Sequence, residues 1–104
     1  RMGDHMFLHI GGDYIVSMKD IVAIVDMEKS TISQDTRNFL KISDEEGFII
    51  NVVENEMPKS FIITQEKHRS KIYLSPISTT TLYKRYEILE GRKRDKGTNG
   101  GTML

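Results

Sequence analysis

Residues 8–17 read LHIGGDYIVS: two short runs that alternate like β-strands, parted by Gly11, Gly12 and Asp13. A glycine pair between a strand and whatever follows can be a phosphate cradle or a turn. A dinucleotide fingerprint needs G-x-G-x-x-G opening a helix, and a P-loop needs Gly-Lys-Ser/Thr. Neither pattern is present, the following run YIVS is itself strand-like, and Asp13 would repel a phosphate. Glycine tolerates the positive φ that tight hairpins demand. The stretch therefore predicts a β-hairpin, and the rest of the chain is read outward from it.

Upstream, Met6–Ile10 forms the first strand of that hairpin, and Tyr14–Ser17 the second. Met18–Asp20 reads as a turn, and the β-branched IVAIVDM that follows predicts a buried third strand. The period then changes. Ser30 or Thr31 can cap a helix whose Ile32, Thr36, Phe39, Leu40 and Ile42 share one face, with Gly47 as its stop. FIINVV (Phe48–Val53), KSFIIT (Lys59–Thr64) and KIYLSP (Lys71–Pro76) predict three more strands, with QEKHRS as a polar turn. Ser78 can cap a last helix with Leu82, Tyr86 and Leu89 on one face. From Gly91 the chain is basic and nearly without apolar residues, the composition of a disordered tail.

The expectation is an α+β domain over residues 6–90: a small, mostly antiparallel sheet of about six short strands with two helices, followed by a disordered basic C-terminal tail at 91–104. RMGDH at 1–5 reads as a cloning remnant. A chain of 104 residues buries only about 65% of its unfolded surface and gains from self-association. No apolar run approaches the roughly 18 residues of a membrane span, so no membrane partner is expected. The absence of cysteine excludes disulfides and thiolate chemistry and fits a reducing, cytoplasmic setting. His9 and His68 are the only imidazoles outside 1–5, and neither has a triad or ligand set nearby in sequence. Asp44, Glu45 and Glu46 lack the spacing of a calcium loop. The chain is expected to be no enzyme, with no cofactor, no metal and no small-molecule substrate.

Net charge is zero but divided: residues 1–58 hold 5 basic and 11 acidic side chains, residues 59–104 hold 10 and 4. Such a split can steer a polyanion or mate one subunit with its neighbour. Lys67, Arg69 and Lys71 flank one turn, Lys84 and Arg85 sit on the last helix, and Lys19 and Lys59 are isolated.

MFLHIGGDYIVSMKDIVAIVDME, PKSFIIT, IYLSPIS and TTTLYKR together closely resemble the extracellular matrix regulatory protein B (RemB-like) family, relatives of the biofilm matrix regulator RemA. The resemblance spans Met6 to about Tyr86. It implies a cytoplasmic α+β transcription regulator, a homo-oligomer with a ring as the form of the related branch, and duplex DNA as partner. Arginines that contact DNA in that branch align with Asp20, Glu56 and Met57, with Lys19 and Lys59 beside them. The nucleic-acid-binding candidates are therefore Lys19 and Lys59, with Lys84 and Arg85 after them. The alternative is a protein-interaction or assembly module of the same family without direct DNA binding.

Overall fold

The computed structural model of the chain describes residues 6–98, with side chains to Gly91. Residues 1–5, read as a cloning remnant, and the end of the expected tail, 99–104, lie outside the described residues. Among the described residues the architecture is α+β, with six strands and two substantial helices, as expected. The strands divide into two sheets rather than one. β1 (Phe7–Gly11) and β2 (Tyr14–Ser17) form an antiparallel hairpin, and β3 (Ile21–Asp26), β5 (Ser60–Glu66), β6 (Arg69–Ser75) and β4 (Ile49–Asn51) form a sheet in that order. Among the described strand pairs only β4 on β6 is parallel.

The hairpin turns where the glycines stand. Gly11 (φ 123°) pairs with Tyr14, and Gly12 (φ 53°) leads into an exposed Asp13. Both φ values are costly for a residue with a Cβ. At Gly11 a Cβ would also stand 3.1 Å from Pro76 Cδ and 3.2 Å from Val52 Cγ1. The corner is thus packed against the sheet as well as turned.

Alternation sorts the hairpin residues. Leu8, Ile10 and Val16 face inward and are buried, while Phe7 and Ile15 face out. The inward row meets Ile24, Ile62 and Tyr73 on one face of the four-stranded sheet, and Leu82 of α3 (Thr79–Thr98) closes the same cluster. Each fully buried aliphatic contributes about 1.5–3 kcal/mol. Buried hydroxyls are satisfied: Ser75 Oγ donates to the Ile10 carbonyl at 2.6 Å, and Ser60 Oγ donates to that of Ile77 at 2.8 Å. The first of these joins hairpin to sheet.

The opposite face holds Phe61 and Ile72, both buried, under α2 (Gln34–Glu45). Phe39 of α2 reaches Phe61 at a ring distance of 6.5 Å. At the free edge of the sheet, β3 touches α3, where Tyr83 OH donates to the Ile24 carbonyl at 2.7 Å.

Several boundaries differ from the sequence expectation. The helix expected to start from Ser30 or Thr31 starts later, at Gln34, and a separate single turn precedes it. Asp26 caps a one-turn α1 (Met27–Ser30), accepting from Lys29 N at 2.7 Å, and Ser33 caps α2. Arg37 Nη1 donates to the carbonyls of Thr31 and Ile32 at 2.6 and 3.0 Å and so stabilises the break. The strand expected over Phe48–Val53 pairs only at Ile49–Asn51. The QEKHRS turn shrinks to Lys67 and His68, because β5 and β6 pair to Glu66↔Arg69. Lys59 precedes its strand rather than opening it. Ser78 caps α3 as read, accepting from Thr81 N at 3.2 Å. α3 is described from Thr79 to Thr98.

Candidate nucleic-acid interface

β3 and β5 run antiparallel in a register that sets Ile21 opposite Thr64. The residues just before Ile21 therefore stand beside the turn just after Glu66. That is how Lys19 comes to share one cleft of ≈ 750 Å³ with Lys67, His68, Arg69 and Lys71, with Asp20 and Glu66 as its carboxylates. Lys19 is mostly exposed and lies 3.5 Å from Asp20 Oδ1. An ion pair this open contributes little and yields readily to another anion. Lys67 holds φ at 57°, the one non-glycine residue with positive φ among the described residues. That conformation costs about 1–2 kcal/mol, and the tight two-residue turn it permits projects the basic tip.

The floor of the cleft is rigid. Glu66 Oε2 accepts from Tyr73 OH at 2.7 Å and from Thr64 Oγ1 at 2.8 Å, while Oε1 stands 3.1 Å from Lys71 Nζ. Burial works to raise the Glu66 pKa, but the hydrogen bonds from Tyr73, Thr64 and Lys71 and the Lys71 charge outweigh it, so the carboxyl sits below its ordinary value. Tyr73 is pushed up, by burial first and by the neighbouring Glu66 second. Its ring also meets that of Tyr14 edge-on at 6.1 Å. Lys71 is thus committed to Glu66. The remaining cations of the cleft are held around a fixed anion rather than neutralised by it.

A pH signature follows from the sign of this shift. A carboxyl whose pKa is lowered by folding adds stability above its unfolded value, near 4.5, and that stability is lost as pH falls through the folded value. Glu66→Gln is expected to cost roughly 1 kcal/mol at neutral pH, with the gap to the wild type closing in acid. Urea unfolding of both proteins across that range checks it. A gap independent of pH would contradict the assignment.

The four sequence candidates do not converge within one subunit. Lys59 lies at the other end of β5, and with seven residues between the two ends it is roughly 20 Å from the Lys19 end. Its backbone is fixed, the N–H donating to the Ser75 carbonyl at 2.7 Å and the carbonyl accepting from Met27 N at 3.0 Å, while its side chain is exposed. Lys84 is exposed on α3. Arg85 is occupied: Nη1 donates to the His9 carbonyl at 3.0 Å and lies 3.3 Å from His9 Nδ1. His9 Nε2 in turn lies 2.9 Å from the Gly12 carbonyl, so Nε2 is the donor and Nδ1 the acceptor facing Arg85. Arg85 is therefore a strut between α3 and the hairpin. Of the aligned positions, Asp20 lies in the cleft and Met57 is 85% exposed on the β4–β5 loop beside Glu56.

Lys67 and Arg69 are not among the four candidates read from the sequence, where they show only as cations flanking a turn. The β3–β5 register is the signal that joins them to Lys19. Among the described residues no group of His, Asp and Glu is arranged to hold a metal ion, and no helix is long and apolar enough to cross a membrane.

The profile of a RemA-like family, described as extracellular matrix regulatory protein A-like, matches residues 7–86. Extracellular matrix regulatory protein B of Bacillus subtilis (strain 168) is 37% identical over 84 residues, covering 81% of this chain and 94% of that protein.

Proposed function

The chain belongs to the RemA-like family of extracellular matrix regulatory proteins, and on that premise we propose that it is a cytoplasmic, non-enzymatic transcription regulator that binds duplex DNA as a homo-oligomer. The observation that carries the reading is the cleft in which Lys19 joins Lys67 and Arg69 on an exposed turn. Phosphates are recognised by such cations with release of counterions. One subunit offers few of them, so affinity comes from repetition: linked copies engage one duplex at high effective concentration. Lys59, at the opposite end of the same strand, gives each subunit a second basic point.

A duplex retardation assay at two salt concentrations tests this. Binding at about 50 mM salt that falls steeply by about 200 mM is expected, and Lys19→Glu with Arg69→Glu should weaken it at least about tenfold. No retardation at about 50 mM overturns direct binding. Asp20, Glu56 and Met57, at positions where phosphate contacts would be expected, favour a second reading, an assembly module of the family without DNA contact. Under that reading light scattering of Lys19→Glu and Lys59→Glu would show loss of assembly with the fold retained.

A further inference from the structure

We infer that the end of the β5–β6 ribbon enters the major groove of the duplex, with Arg69 as the side chain that reads guanine. This rests on the DNA reading above and adds the element that tells one base sequence from another. Cations such as Lys19 position a duplex through its phosphates, and such contacts carry no sequence information of their own.

The ribbon outruns its neighbours in the sheet. β3 pairs with β5 only as far as Ile21↔Thr64, and β4 pairs with β6 only from Ile49↔Ile72. β5 and β6 go on pairing past both, through Gln65↔Ser70 and Glu66↔Arg69, to the turn at Lys67 and His68. Clefts of ≈ 750 and ≈ 590 Å³ flank this extension, one on the β3 side and one on the β4 side, and His68 and Arg69 line both. The result is a ridge two strands wide. Strands lie about 4.8 Å apart and rise about 3.3 Å per residue, so the three residues from Gln65 to Lys67 reach about 10 Å beyond the sheet. The major groove is about 12 Å wide and about 8.5 Å deep, and it admits such a ribbon.

The side chains suit that place. Gln65, Lys67, His68, Arg69 and Ser70 are all exposed, and none is apolar. Ser70 Oγ donates to Gln65 Oε1 at 2.7 Å, and Gln65 Nε2 donates to the Lys67 carbonyl at 3.3 Å. A ridge braced in this way gives up little freedom on docking. Arg69 stands opposite Glu66 in the pairing, yet the Glu66 oxygens are engaged by Tyr73, Thr64 and Lys71. Among the described residues the Arg69 guanidinium has no hydrogen-bond or ion-pair partner. Its planar fork of donors matches O6 and N7 of guanine, the acceptor pair presented in the major groove. Lys71 cannot take that role, because Glu66 holds it. To the cations that the two clefts share, the β3 side adds Lys19 and Lys67, while the β4 side adds none. One phosphate backbone therefore lies on the β3 side, against Lys19.

Selection from a random duplex pool by the full chain at about 50 mM salt, followed by replacement of one atom in the selected site, tests this. The wild type is expected to enrich a site containing guanine. Exchange of that guanine for 7-deazaguanine removes N7 and leaves base pairing and phosphates intact. It should weaken retardation at least about tenfold. Arg69→Ala should bind the natural and the 7-deaza duplex alike, whereas Lys19→Ala should weaken both by the same factor. Arg69 is exposed, so circular dichroism should show the wild-type fold, and the comparison of the two duplexes on wild-type protein needs no variant. A pool that enriches no guanine, or equal wild-type affinity for the two duplexes, overturns the groove contact and leaves phosphate binding standing. An Arg69→Ala protein that still distinguishes them overturns the role of Arg69. Failure to retain any duplex at about 50 mM salt removes the DNA reading itself, and the groove contact with it.

Discussion

Ile62→Ala is expected to lower the stability of the domain by roughly 3 kcal/mol, a fall of the melting temperature on the order of 15 °C for a chain of this length. Ile62 is fully buried at the centre of β5, opposite Ile24 on one side and Tyr73 on the other. Leu8, Ile10 and Leu82 belong to the same cluster. Truncation removes the transfer energy of the lost carbons and leaves a void that hairpin, sheet and helix cannot all close into. Val22→Ala on the neighbouring strand is the control: Val22 is 64% exposed and should cost no more than about 0.5 kcal/mol. Thermal unfolding of the two variants beside the wild type makes the measurement. Equal losses would mean that the core does not lie between hairpin and sheet.

Gly11→Ala comes next, at roughly 3 kcal/mol. Two costs combine. A φ of 123° is a backbone conformation that side chains rarely adopt, and the new Cβ meets Pro76 and Val52 at 3.1 and 3.2 Å. Gly12→Ala should be milder. Its φ of 53° lies in the left-handed region, which costs about 1–2 kcal/mol, and the nearest atom, the Val52 carbonyl oxygen, stands at 3.3 Å. Urea denaturation should therefore rank Gly11→Ala below Gly12→Ala. The reverse order would show that the turn, and not its packing on the sheet, governs this corner.

What the sequence made legible was mostly local. Gly11 and Gly12 announced the hairpin because a tight turn has a chemical signature. IVAIVD and SFIIT announced strands because β-branched runs do. Strand partners have no comparable signature. Nothing in IIN reveals that β4 lies parallel to β6, or that the hairpin forms a sheet of its own. The start of α2 was misplaced for a related reason. Ser30, Thr31 and Ser33 are all competent caps, and the choice falls to Asp26 closing α1 and Arg37 holding the intervening carbonyls. The candidate site divides the same way. Lys19 stood out, but its union with Lys67 and Arg69 depends on a register 43 residues long in sequence, from Ile21 to Thr64. Arg85 reads as available from its place on the last helix, but it is held by His9, on a strand far away in sequence.

The Tyr83 hydroxyl on the Ile24 carbonyl has a consequence for how this protein behaves in a crowded solution. β3 is an outer strand of its sheet, and IVAIVD carries no lysine or proline to discourage an approaching chain. Such a border is a template for strand addition and aggregation. Tyr83 occupies an acceptor in the middle of that border and brings α3 alongside it. An incoming strand would have to displace the helix before it could extend the sheet. The subunit thus keeps its most adhesive backbone under cover.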